Sequence, residues 1–420
     1  MAECGLRAAA GHGVCELLMK MSRRHLLQAS AAGLLLPRPL LAESPGNGRR
    51  FLFVYCKGGW DTTYVFSPMG DNSEVDTEAN AQAVESGGIL HVDHIERPAV
   101  RAFFSRYGNQ TCILNGFEVR SIAHDKAQRL LFTGSPSTGQ DDWGSILASH
   151  SESNLTMPYI HVTGPSYAAN TQESVARLGS NGQLNALLEF SASARPSSDI
   201  EALEDAFVLQ RAMNGRRNFD AQLGRVLESL TGVEGLVGAI NFEGGDDLAS
   251  RLETVLNCFE LGVSRCGIVQ YDGVDELGWD THGGNAIQSS HYQELFGVLT
   301  DLMDDLKRRP SPNGGSLYDE VCVVVCSEMG RHPKLNNHQG KHHWTYTTAM
   351  LAGAGVAGGQ VIGQYDSQFF GLRVNPSTGE LDDQGAAMTD KHFGATLLAL
   401  GGLESELHTG EAPPIEAALR

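Results

Sequence analysis

Short, unbroken apolar runs alternate with amphipathic stretches along most of the chain. Phe51-Leu52-Phe53-Val54-Tyr55-Cys56 reads as a buried strand, ended by Lys57-Gly58-Gly59. Thr111–Leu114, Tyr159–Val162 and Gly267–Tyr271 are three more strands, and Thr348–Leu351 is another candidate. Val321-Cys322-Val323-Val324-Val325-Cys326 is a continuous, mostly β-branched run, the pattern of a strand covered on both faces at the centre of a sheet. Between the strands lie helical patterns. Ala99–Tyr107 precedes the second strand, and Leu295, Leu299, Leu302 and Leu306 mark one face of a helix from about His291 to Arg308, stopped by Pro310–Gly315. Ser198 and Glu201 form a capping box before Ile200–Met213, with further amphipathic runs at Phe219–Leu230 and Asp246–Leu261. Thr389–Leu400 closes the series, with Gly401-Gly402 behind it. Strands and helices in alternation predict an α/β fold, with a mostly parallel sheet between helical layers and a helical insertion at about 198–262. One domain over residues 49–405 accounts for the pattern.

The first 42 residues do not follow it. Met21-Ser22-Arg23-Arg24-His25-Leu26-Leu27 places paired arginines before a short apolar stretch, Leu26–Leu36, broken by Pro37 and Pro39 and followed by the small Ala42. That is the layout of a twin-arginine export signal and is too short to span a bilayer. Residues 1–42 are therefore expected to be a signal region, with Met21 a candidate start and the twin-arginine translocase the partner during export. A periplasmic or secreted location follows. No other stretch approaches the roughly 18 consecutive apolar residues of a membrane helix.

Charge narrows the partners. The whole chain has 31 Lys/Arg against 50 Asp/Glu; five and two of these lie in the first 42 residues, which leaves 26 against 48 and a charge of −22 beyond them. So acidic a surface repels phosphate backbones and argues against nucleic acid as the partner. Six of the eight cysteines lie beyond residue 42 without a CxxC pair, which removes support for zinc-ribbon or thioredoxin chemistry. Cys258 and Cys266 are spaced to bridge in an oxidising compartment. Gly353-Ala354-Gly355-Val356-Ala357-Gly358 spells GxGxxG, but a strand-like Gly359–Gly363 follows where a dinucleotide fold needs a helix, so a glycine-rich hairpin is expected.

Candidate chemistry collects just after strands. Asp61 follows the first, Asp280 and His282 follow Gly267–Tyr271, and Glu328 lies two residues past Cys326, with His332, His338, His342 and His343 in the loop beyond. Parallel α/β sheets bind ligands outside the carboxyl ends of their strands, so parallel strands would bring these side chains to one rim. Mixed carboxylate and imidazole groups suit zinc, manganese or iron better than calcium, with zinc or manganese favoured. Arg331 is positioned to hold an anionic oxygen. Each piece also has a plain structural alternative: a turn at Asp-x-His, a solvated histidine loop, a helix cap at Glu328.

At these residues the sequence resembles the domain-of-unknown-function 1501 family of secreted bacterial proteins, itself related to the alkaline phosphatase and sulfatase superfamily. The matching pieces run in order. They are Lys57-Gly58-Gly59-Trp60-Asp61, His124 through Thr133-Gly134, Gly278-Trp279-Asp280-Thr281-His282, Ser327-Glu328-Met329-Gly330-Arg331, Gly340-Lys341-His342-His343-Trp344 and Gly358–Gly363. The resemblance implies an alkaline-phosphatase-like three-layer sandwich with one or two divalent ions held by Asp61, Asp280, His282, Glu328 and His343. It also implies a hydrolase-like activity on phosphate or sulfate esters, with anionic small molecules or glycans as substrates. Two departures stand out. Lys341 and His342 replace the Arg and Asp of the family's Gly-Arg-Asp-His-Trp, and His124 occupies the place of the superfamily's hydroxyl or thiol nucleophile, with Ser121 the nearest hydroxyl. His124 is then expected as a base or ligand beside Arg331 as the anion clamp. A non-catalytic exported binding protein with a structural metal, and a redox metalloprotein, are the competing classes.

Overall fold

The computed structural model describes residues 48–151, 155–177, 246–275 and 278–420. The signal region with Arg23 and Arg24, and residues 198–245 of the expected insertion, lie outside the described residues. An eight-stranded sheet organises the rest. Its strands are β1 (Arg50–Cys56), β4 (Thr111–Glu118), β5 (Tyr159–His161), β6 (Val175–Arg177), β7 (Cys266–Tyr271), β8 (Val321–Cys326), β11 (Tyr346–Gly353) and β12 (Gln360–Ile362). They lie in the order β12-β4-β11-β8-β1-β7-β5-β6. Two hairpins stand apart from it, β2 (Gln82–Ser86) with β3 (Ile89–Asp93), and β9 (Gly330–Leu335) with β10 (Lys341–Trp344).

The residues of β1 and β8 explain why they sit in the middle. Leu52, Val54 and Cys56 of β1 point into one hydrophobic cluster, and so do Val321, Val323 and Val325 of β8. Phe51, Phe53 and Tyr55, with Cys322, Val324 and Cys326, point into the other. A strand with period-two side chains and both faces apolar must be covered on both sides. One cover is α1 (Pro98–Tyr107), α4 (Leu248–Glu260) and α5 (Ile287–Arg308); the other is α2 (His124–Thr133), α3 (Trp143–Ser149) and α6 (Asp390–Leu400). Ile415 and Ala418 pack into the second cluster, so the core continues past residue 405.

Four features depart from the expectations. β11 pairs antiparallel with both β4 and β8, whereas the other pairings in the sheet are parallel. The glycine-rich segment is no hairpin: β12 pairs parallel with β4, across β4 from β11. The stretch holding His332 to His343 is the β9–β10 hairpin rather than a loop, with His343 opposite Arg331. Cys258 and Cys266 are both free, because Cys258 faces the first cluster and Cys266 the second, on opposite sides of the sheet.

The topology fixes the rim. β4, β8, β1 and β7 run in one direction, so the segments that follow all four emerge at the same edge. The antiparallel β11 starts there, directly after β10. Helix α5 is locked beneath by Phe296, whose ring meets Phe66, Phe103, Phe104 and Tyr292 at 5.3–6.3 Å. Phe296→Ala is expected to cost about 3–5 kcal/mol by cavity formation. Thermal and urea unfolding would read this as lower midpoints, and a loss below about 1 kcal/mol would contradict the packing described.

Candidate metal centre

The loop after β1 is built for close approach. Gly58 and Gly59 have φ of +125° and +89°, and a Cβ on Gly58 would lie 2.7 Å from the Asp280 nitrogen. This lets the β1 loop press against the β7 loop. The Glu328 carboxylate, fully buried, accepts the Gly58 N–H at 2.9 and 3.1 Å, while Ser327 Oγ accepts those of Gly59 and Trp60 at 3.1 and 3.2 Å. The end of β8 thus satisfies the turn that follows β1.

Arg331 ties the remaining pieces together. Its Nε donates to the Gly59 carbonyl at 2.7 Å, Nη1 to the Lys341 carbonyl at 3.1 Å, and Nη2 to the Trp279 carbonyl at 2.8 Å and Asp280 Oδ1 at 2.7 Å, with the Gly58 carbonyl as a further acceptor. The side chain is completely buried. The expectation of an anion clamp is corrected on this point, since the guanidinium is already saturated by four carbonyls and one carboxylate.

Asp280 is the hub. Its Oδ1 lies 3.0 Å from His343 Nε2 and 3.2 Å from His282 Nε2, and its Oδ2 lies 3.4 Å from His124 Nε2. The two nitrogens His282 Nε2 and His343 Nε2 face one another at 2.9 Å. Ligand atoms of His124, Asp280 and His343 all fall within 4.8 Å of one another. Burial pushes the Asp280 carboxyl up, but the close approach of His124, His343 and Arg331 outweighs it and holds the group far below the usual carboxylate range. Burial and the neighbouring Arg331 and histidines lower His282 from its ordinary value, against the pull of Asp280.

The outer shell fits an ion as well. His124 Nδ1 is 2.7 Å from Glu328 Oε1, and His343 Nδ1 is 2.6 Å from the Ile122 carbonyl. With those protons on Nδ1, each ring turns its Nε2 lone pair toward Asp280 (the carboxylate–histidine–metal arrangement). His124 Nε2 is buried and has no hydrogen-bond partner. An orphaned imidazole nitrogen, two facing imidazoles and a carboxylate are the donor set that a zinc-like cation accepts. Asp280 and His282 keep side-chain exposures of 40% and 45%, so the group opens to solvent.

The structure therefore gathers Asp280, His282, His343 and His124, and redistributes the other residues. Glu328 stands behind His124 rather than among the inward-facing atoms. Asp61 is also withdrawn. It is fully buried, caps the turn Thr62–Tyr64 and pairs with Lys341 Nζ at 2.8 Å. His124 was legible only as an oddity of the resemblance, and Lys341 as a departure from it. Ser121 Oγ accepts the Ala123 N–H at 3.2 Å within a turn. Among the described residues a second grouping, Glu78, His94 and Glu96, has its histidine occupied: Nε2 contacts the Ala79 carbonyl and Nδ1 accepts the Glu96 N–H.

His124 carries a pH signature in the metal-free protein. The nearby Asp280, then the hydrogen bond to Glu328, raise its pKa from 6.5 to about 9 against the effect of burial. A folded-state pKa above the unfolded one gives stability that is full below pH 6.5 and lost as pH rises through about 9. Metal-free protein is expected to lose melting temperature across that interval, and His124→Asn to flatten the profile; parallel profiles for the two proteins would contradict the pairing.

No curated protein matches the chain by sequence. Solved structures resemble it distantly. The C-terminal periplasmic domain of EcEptC from Escherichia coli is 10% identical with a TM-score of 0.41, covering 90% of this chain and 89% of that one. The lipoteichoic acid synthase LtaP from Listeria monocytogenes is 10% identical with a TM-score of 0.41, covering 88% and 75%. A protein in the alkaline phosphatase superfamily from Vibrio parahaemolyticus is 11% identical with a TM-score of 0.38, covering 91% and 76%. Residues 253–381 match the family model described as protein of unknown function (DUF1501), a segment that carries Asp280, His282, Glu328, Arg331 and His343.

Proposed function

We propose that the chain is an exported, metal-dependent hydrolase-like protein acting on phosphate or sulfate esters. The observation that carries the reading is the convergence of three imidazole Nε2 atoms and the Asp280 carboxylate at a solvent-open rim of a mostly parallel sheet. His124, Asp280, His282 and His343 would hold the ion, with zinc or manganese the best match to nitrogen-rich donors and one carboxylate. A divalent ion there supplies Lewis-acid stabilisation to an anionic ester oxygen.

The chain's own residues supply the rest. Glu328 fixes the His124 tautomer and Arg331 fixes Asp280, so neither ring nor carboxylate must reorganise on binding. The N-terminus of α2, where His124 sits, adds its dipole in favour of an anion. His342, exposed with its ring centroid 5.7 Å from that of His282, is the imidazole outside the ligand group that would accept a proton from water. No step of this reading uses Ser121 or a serine-bound intermediate. The Ser22-Arg23-Arg24 segment supports export through the twin-arginine translocase to the periplasm or beyond, and no helix among the described residues is long and apolar enough to cross a membrane.

A second reading, a non-catalytic binding protein with a structural ion, draws on the saturation of Arg331, which leaves that cation unavailable to an anionic ligand.

Two outcomes are expected. Aryl phosphate or aryl sulfate turnover by the purified full-length protein should disappear in chelator, return with zinc or manganese, and be absent in Asp280→Ala. A metal-loaded protein inert across a panel of such esters would leave the binding reading in its place. Glu328→Gln should weaken metal affinity by about 10–100-fold without emptying the site at saturating metal, as for other outer-shell partners of histidine ligands. Competition with a chromogenic chelator measures this, and unchanged affinity would remove Glu328 from its assigned role.

A further inference from the structure

The Asp61 carboxylate is closed to further ligands. Its Oδ1 accepts the Thr63 N–H at 3.1 Å and the Thr63 hydroxyl at 2.7 Å. Its Oδ2 accepts Asn285 Nδ2 at 2.7 Å and Lys341 Nζ at 2.8 Å. An ionised carboxylate has about four lone-pair sites, and four donors reach this one. Asp61 and Lys341 are both buried, at 0% and 1% exposure, and Lys341 Nζ also reaches Thr63 Oγ1 at 3.3 Å.

This pair lies one layer behind the metal centre. Asn285 bridges Asp61 to the Thr281 hydroxyl, which donates to Asn285 Oδ1 at 2.6 Å, and Thr281 is the neighbour of Asp280. The Lys341 N–H donates to the Thr281 carbonyl at 3.0 Å, two residues before His343. The ammonium therefore enters from the same strand that supplies a ligand.

We propose that the centre takes one divalent ion per chain, and that the Lys341 ammonium fills the place beside Asp61 that a second ion would need. The inference rests on the metal centre proposed above and adds its stoichiometry. Asp61, Asp280 and Glu328 bring three negative charges, and Arg331 and Lys341 bring two positive ones. One divalent ion leaves the neighbourhood at one net positive charge, suited to an anionic ligand. A second ion would leave three, and would have to expel a buried ammonium from its carboxylate, an arrangement that buried ion pairs do not tolerate.

The test is metal stoichiometry, not turnover. Metal-free full-length protein is equilibrated with zinc(II) by dialysis, and zinc per chain is counted by elemental analysis for wild type, Asp61→Asn and Asp280→Asn. Wild type is expected to hold one zinc. Asp61→Asn should keep it with affinity within about 3-fold, a change under about 0.7 kcal/mol. Asp280→Asn should lose it. Because Asp61→Asn strands Lys341 without a counter-charge, the double variant Asp61→Asn/Lys341→Met removes both charges and should likewise keep one ion. Two zinc ions in wild type, or loss of the ion in the double variant, overturns the proposal while a loss in Asp280→Asn leaves the centre standing. Wild type that binds no zinc at all sinks the centre, and the stoichiometry with it.

Discussion

The site depends on a guanidinium that never sees solvent. Arg331 spends its donors on backbone carbonyls from the β1 loop, the β7 loop and strand β10, and one more on Asp280. Three segments distant in sequence are thereby held at fixed spacing by a planar, permanently charged group. Lysine has a single nitrogen and could not span them. Glu328 performs the complementary task on the other side, accepting the Gly58 N–H while it orients His124. The two charges come from one short stretch at the end of the central strand β8, so a strand buried on both faces also organises the candidate site.

Much of this was visible in the residues. The double-faced apolar runs at Phe51–Cys56 and Val321–Cys326 specify central strands, because such runs satisfy hydrophobic burial only between two helical layers. Once those strands are parallel, Asp280, His282 and His343 arrive at one rim by topology. What the residues do not reveal is which polar groups satisfy each other. Asp61 and Glu328 have the same signature in sequence as Asp280, an acidic residue just past a strand. Asp61 is neutralised by Lys341, some 280 positions on, and that contact exists only because β10 folds back as a hairpin.

The hairpin itself was hidden for a physical reason. Gly330–Leu335 carries Arg, His, Pro and Lys, and its strand character comes from pairing with Lys341–Trp344 and from burial of Arg331, not from apolar alternation. Gly340 makes the approach workable, since a Cβ there would lie 2.1 Å from the His282 carbonyl carbon. The β11 direction was equally unreadable, because a buried strand of Thr and Ala has the same composition whichever way it runs.

That reversed strand has a consequence for when the centre comes into being. His343 is separated from β11 by two residues, and His124 and Asp280 follow strands that flank it or lie beyond it. Donors so dispersed along the polypeptide have no common neighbourhood until the sheet has assembled, so at the proposed centre an ion would be captured late, after folding rather than as its seed. On the proposed reading, the compartment that hosts that final assembly would choose the cation, and its supply there would count as much as ligand chemistry.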